Sequence, residues 1–318
     1  MIADKKKIYP FLYSLLALCI SIWLVPLYTS GDQYHYNLFF ENCILSNYSL
    51  ADKYSCYSNY LDSREPGYFT IMNILGSVLN KNTIIILSNV LLTYLITRLI
   101  FLNMKVGIQR HFLSFFLVSN FYVLVLFLSA ERLKFSFLFL LLALLIQSRK
   151  LKIIFIFSAL MTHSQNLILF ITAILTQLKS LSIALWKKIV LLIGSAIILA
   201  TVILLNKEHI LRKISVYSAI DGDVGLNALA KVSVLYLLAV ISIRKMSVVL
   251  GGLPILAASY FLGSNRIMIL MFIFYIIVMI KEKGRMDFFM FLVLSYFSYK
   301  SIGFIQNILI YGEGFNVH

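Results

Sequence analysis

Charge is what this sequence has least of. Of 318 residues only 13% are charged, about half the share in an ordinary soluble domain. Acids are scarcer still, 13 Asp and Glu against 28 Lys and Arg. No Walker A loop, G-x-G-x-x-G, HExxH or C-x-x-C occurs, so nothing supports a P-loop NTPase, a Rossmann cofactor site, a zincin or a structural zinc site. His35, His111, His163, His209 and His318 include no closely spaced pair. The one acidic pair, Asp221-Gly222-Asp223, reads first as a turn, with a divalent cation on a diphosphate as the rarer alternative. No metal and no cofactor is expected.

What fills the space is apolar: 61% of residues are hydrophobic. The chain reads as an integral membrane protein, because runs of about 20 such residues cross a hydrocarbon core. The net charge of +15 would suit nucleic acid only on a basic face of a soluble fold. Here the cations sit in short turns between apolar runs, where they report topology, and no nucleic acid is expected. The expected fold is all-α, a polytopic transmembrane bundle of about ten to twelve apolar segments with short re-entrant or broken pieces.

Three lysines precede an apolar run at 8–29, which reads as an uncleaved anchor with a cytoplasmic N-terminus. Residues 30–66 then carry Asp32, Glu41, Asp52, Asp62 and Glu65 against Lys53 and Arg64, as an outer loop would. This loop holds Cys43 and Cys56, able to close a ring in an oxidising compartment; spacing leaves two free thiols as the alternative. The run 68–79 is too short to cross and is expected to be a re-entrant or broken helix buried in protein. Spans at 83–102 and 112–128 follow, then a tip at Glu131 and Arg132, a return at 135–146, and the basic turn 147–152.

The run 153–178 lies between basic turns and reads as a hairpin with its tip at 162–166. Later spans are expected at 189–205, 232–243, 248–262 and 267–280, with a second outer loop at 206–231. The last stretch, 288–311, is one kinked span or two pieces. Residues 1–318 form one membrane domain on this reading, with the basic turns inside and most acids outside.

Cations and hydrogen-bonding groups gather on the outer side: Arg132, His163, Arg266 and Arg64, with Asp32, Glu65 and Glu131. A charged side chain costs about 2.5–3.5 kcal/mol at the centre of an inserted helix, so such groups face protein, water or a ligand. Arginine offers a planar, permanently charged fork that fits phosphate oxygens; a rim arginine snorkelling to headgroups is the plainer reading. His163 is a general base or donor, or a histidine tying helices together. Asp32 follows the first span and suits either a turn or a site.

Several short motifs together resemble the EpsG-like branch of the Wzy polysaccharide polymerases. They are Gly31-Asp32-x-Tyr34-x-Tyr36, Glu65-Pro66-Gly67-Tyr68, Arg132, Ala159-x-x-x-His163-Ser164 and Asn265-Arg266, covering most of the chain. The family tends to continue its arginine as Arg-Gln-x-x-Ala, where this chain has Arg132-Leu133-Lys134-Phe135-Ser136.

The resemblance implies a metal-independent, inverting membrane (C-type) glycosyltransferase of the bacterial inner membrane. It would join undecaprenyl-diphosphate-linked repeat units at the outer face, making O antigen or a related polysaccharide. The implied partners are a lipid-linked donor, a lipid-linked acceptor and the bilayer, with a chain-length regulator as an optional addition. It would make Arg132, His163, Arg266 and Asp32 catalytic, and Arg64, Glu65, Tyr34, Tyr36 and Glu131 substrate-binding. A membrane acyltransferase using His163 as base is the first alternative. A lipid-linked glycan flippase is the second, though no paired halves are visible.

Overall fold

The computed structural model describes residues 2–105, 107–177, 194 and 224–315. Among them every regular element is helical. The expected span 189–205, most of the loop 206–231, the basic residues Lys179, Lys187 and Lys188, and the pair Asp221 and Asp223 lie outside the described residues, as do His209 and His318.

Among the described residues five helices are long and apolar enough to cross a membrane, six if one bent pair counts as a span. These are α1 (Ile2–Leu24, its apolar stretch running Ile8–Leu27), α5 (Lys81–Asn103), α11 (Leu226–Ile243), α13 (Ser264–Val278, continued by a π-helical turn to Lys283) and α14 (Phe288–Tyr311). Among the described residues there are therefore fewer such helices than the ten to twelve apolar segments expected over the whole chain. Within these residues, polar side chains stop helices inside apolar stretches.

The expected single span at 112–128 is α6 (Gly107–Val118) and α7 (Phe121–Leu128), bent by 50°. Asn120 makes the break: its backbone is extended (ψ 140°) and its side chain accepts a hydrogen bond from Tyr122 N–H at 3.0 Å. That is an N-cap inside a hydrophobic run. Similarly α8 (Glu131–Leu145) has 15 residues, α9 (Arg149–Thr162) 14 and α10 (Asn166–Gln177) 12. At about 1.5 Å per residue none matches a core of about 30 Å. The stretch 288–311, in contrast, is one continuous helix.

The presumed loop at 30–66 is also helical. It contains α2 (Asp32–Phe39), a π-helical turn (Phe40–Ile44) and α3 (Leu50–Leu61). Ser49 caps α3, accepting from Asp52 N–H and donating to the Asp52 carboxylate at 2.6 Å, while Asp62 ends it in a left-handed conformation (φ 44°). Cys43 and Cys56 are joined by a disulfide, with Cα atoms 5.7 Å apart, so the turn after α2 is stapled to α3. Next, α4 (Pro66–Gly76) starts on Pro66, whose missing N–H costs nothing at a first helical position, and runs only 11 residues.

The described chain divides into two compact units, residues 1–166 with 291–318, and residues 167–290. In the first, α1 lies along α5, α5 meets α8, and α8 and α4 both pack on α9. The exit of α1 is tied to the end of α14 by Thr29 and Ser30 N–H groups, each 2.9 Å from Gly312 O. In the second, α11, α13 and α12 (Met246–Leu262) pack against one another, and Gly252 lets the Tyr236 ring lie against the α12 backbone.

Candidate functional site

The site forms where four chain ends meet in the first unit: the end of α9, and the starts of α2, α4 and α8. At its centre is Glu65, the residue before Pro66. Its Oε2 accepts from Arg132 Nη1 at 3.0 Å, and its Oε1 accepts from His163 Nδ1–H at 2.9 Å. The same Oε1 takes the Ser164 backbone N–H at 2.8 Å and hydroxyl at 2.9 Å, and Ser63 Oγ donates to Oε2 at 3.2 Å. The side chains of Glu65, Arg132 and His163 are 15, 16 and 14% exposed, so each keeps an edge toward solvent.

Burial opposes ionisation of Glu65. His163, Arg132 and the Ser164 N–H outweigh it and hold the carboxyl well below the usual carboxylate range. His163 breaks the helix to reach this carboxylate, its backbone extended at φ −155°. The remaining ring nitrogen, Nε2, faces the Gln165 side-chain oxygen at 3.2 Å. Because an amide can turn over and offer its NH2 group instead, Gln165 can serve the ring with or without a second proton.

Tyr36 completes the ring of contacts, accepting from Arg132 Nε at 3.3 Å. Its aromatic faces are not free. Tyr68 packs edge-on at 5.8 Å, the Lys81 ammonium stands 5.6 Å from the ring centroid, and only 7% of the residue is exposed. Tyr36 therefore presents its hydroxyl rather than a stacking surface. Burial pushes this phenol up to about 12, against the pull of Arg132, so it stays protonated at neutral pH.

The loop carrying Glu65 is held by α3. Tyr54 donates to Arg64 O at 2.7 Å; Tyr57 is 3.0 Å from Ser63 Oγ and 3.1 Å from Glu65 O. Tyr57 is the neighbour of Cys56, which links the disulfide to the site through one residue. Gly67 allows the closest approach. A Cβ there would lie 2.7 Å from Met161 C, Thr162 N and Thr162 Oγ1, which sets α4 against the end of α9 just before His163.

Beneath Arg132 lies a buried polar layer that sequence reading did not assemble. Glu131, expected at the rim among substrate-binding groups, is wholly buried. Its Oε2 accepts from Tyr68 OH at 2.6 Å, while Oε1 has no well-aligned hydrogen bond but Lys81 Nζ 3.2 Å away, an ionic contact. Lys81 also donates to Gln33 Oε1 at 2.7 Å and Asn37 Oδ1 at 2.6 Å. Lys134, likewise wholly buried, donates to Asn89 Oδ1 at 2.9 Å and Phe127 O at 3.3 Å. Lys81, a lone lysine between the apolar runs 68–79 and 83–102, was the available signal for this layer.

The other expected residues fall as follows. Asp32 is exposed and accepts from Ser129 Oγ at 3.3 Å, which sets the start of α2 beside the start of α8. Arg64 is exposed, and no partner is recorded for its guanidinium among the described residues. Tyr34, 54% exposed, contacts His35 edge-on at 5.6 Å and not the cluster. Arg266 belongs to the other unit, exposed in the first turn of α13. No group of three His, Cys, Asp or Glu stands close enough to hold a metal ion among the described residues.

The geometry brings together Glu65, Arg132, His163 and Tyr36, a set able to bind an anion beside a proton acceptor. Compared with known proteins, the chain matches no family model, no curated protein and no solved structure.

Proposed function

We propose that the protein is a membrane glycosyltransferase, a polymerase that joins lipid-diphosphate-linked oligosaccharide units into O antigen or a related surface polysaccharide. One observation carries this reading: a single buried carboxylate, Glu65, holds an arginine and a histidine together with one edge of each left open.

Transfer from a lipid diphosphate needs two things. The acceptor hydroxyl must lose a proton as its oxygen bonds to the anomeric carbon. The bond from that carbon to the diphosphate must break, its electron pair leaving on the diphosphate. His163 Nε2 is the acceptor for the proton, with Nδ1–H oriented by Glu65. Arg132 meets the charge that grows on the leaving group, where one such electrostatic contact is worth roughly a hundredfold in rate. The donor is already activated, so no nucleotide is required.

The disulfide supports one side of the membrane for the site. Cys43–Cys56 is bonded and coupled to Glu65 through Tyr57. Disulfides persist in oxidising compartments, which supports the reading of the site as periplasmic; the basic residues before the first span support a cytoplasmic N-terminus at the inner membrane. Arg64 and Asp32, which belong to the same unit, are retained as groups lining the approach.

Complementation of a polymerase-deficient strain, scored by the glycan ladder, tests the reading, with protein levels checked by blot. The parent chain should restore the ladder. A strain that gains acyl groups on its glycans but no ladder would point to the acyltransferase instead.

A further inference from the structure

Of the tyrosines packed around the site, Tyr36 alone has no acceptor for its hydroxyl proton among the described residues. Tyr68 donates to Glu131 Oε2, Tyr57 to Ser63 Oγ and Glu65 O, and Tyr54 to Arg64 O. Tyr36 instead uses its oxygen to accept from Arg132 Nε. Leaving a buried hydroxyl proton undirected is costly unless a ligand takes it.

The guanidinium shows where that ligand sits. Nε is occupied by Tyr36 and Nη1 by Glu65 Oε2, while no partner is recorded for Nη2 among the described residues. Nε and Nη2 lie side by side along one edge of the planar group. An oxygen bound at Nη2 therefore lies beside the Tyr36 oxygen, within reach of its O–H as it turns about the C–O bond.

We infer that Tyr36 is a catalytic residue: its hydroxyl and Arg132 Nη2 form a two-donor cradle for one non-bridging oxygen of the lipid diphosphate. This rests on the polymerase reading for the chemistry that follows, but the cradle itself is a claim about diphosphate binding. The ring of Tyr36 packs against Tyr68 and the Lys81 ammonium, so its position is set before the ligand arrives. Arg132 supplies charge and Tyr36 a neutral donor, a combination that favours an oxygen gaining negative charge as the sugar departs.

Tyr36→Phe keeps the ring and removes only the donor. The probe is farnesyl diphosphate, titrated against the purified full chain in detergent, with farnesol as the control. The parent should bind the diphosphate and not the alcohol, and Tyr36→Phe should bind it roughly tenfold more weakly, the worth of one hydrogen bond to a charged group. With lipid-diphosphate-linked glycan as donor, Tyr36→Phe should turn over roughly a hundredfold more slowly with donor KM changed far less. Thermal melting and the intact disulfide serve to show that the variant is folded.

A parent that binds no farnesyl diphosphate overturns the cradle, as does a Tyr36→Phe variant that binds and turns over within twofold of the parent. A parent that transfers glycan while Tyr36→Phe matches it rejects the cradle and keeps the polymerase. A parent that binds the diphosphate, weakened in Tyr36→Phe, yet transfers nothing, keeps the cradle and rejects the polymerase.

Discussion

Glu65 and Arg132 are 67 positions apart and meet at 3.0 Å, with His163 2.9 Å away on the other carboxylate oxygen. Each anchors the other two. The carboxylate orients the Arg132 guanidinium and the His163 ring, and they in turn keep it ionised in a mostly buried position.

Arg132→Ala should cost about a hundredfold in glycan transfer at normal protein level. Lysine keeps the charge but cannot reach Glu65 and Tyr36 at once from one planar group, so Arg132→Lys should stay strongly impaired. The ladder assay decides both. A full ladder from Arg132→Ala would place the chemistry elsewhere.

Acid should weaken the fold through Glu65. Its folded-state value lies below the usual 4.5, so the unfolded chain takes up the proton first. The stabilisation is complete above about pH 4.5 and is lost as pH falls through the folded value. Melting curves should therefore slope downward only below that pH, and Glu65→Gln should flatten this limb while lowering activity by loosening His163 and Arg132.

Reducing Cys43–Cys56 should destabilise the protein by about 2–3 kcal/mol, the chain-entropy value for a ring of this size. The consequence should extend to activity, because Tyr57 next to Cys56 holds Glu65 O. Alkylation without reductant should label the exposed Cys19 alone. Labelling of all three cysteines would show that the disulfide is absent.

Gly67→Ala is expected to be among the most damaging small substitutions. The new methyl carbon meets backbone atoms of Met161 and Thr162 at 2.7 Å, and backbone cannot step aside as a flexible side chain can. Overpacking of this kind costs about 1–3 kcal/mol. A melting point unchanged from the parent would show that α4 and α9 are not in this contact.

Topology can be read by cysteine labelling in a Cys19→Ser background. A cysteine at exposed Asn59 should react with an impermeant maleimide in cells with only the outer membrane opened, and one at exposed Lys150 only after the inner membrane is breached. The reverse order would invert the assignment of the site to the periplasmic side.

The sequence by itself determined the class of protein and most of the ingredients. Apolar runs announced spans, Pro66 marked the start of a short helix, and the polar interruption at 162–166, read as a hairpin tip, fell where one helix ends and the next begins, because local patterning decides where helices start and stop. It also named Arg132, His163, Glu65 and Tyr36. Only the tertiary structure decided that one carboxylate would bind both Arg132 and His163, that the Tyr36 ring would be covered and its oxygen would accept from Arg132, and that Glu131 would turn inward to Lys81. Those outcomes depend on contacts across 67 or 98 positions, between helix ends whose approach is set by packing at places such as Gly67. Local pattern carries no record of which buried charge another will meet. The low polarity of the interior then makes that choice binding, since each buried polar group must find its partner within the fold.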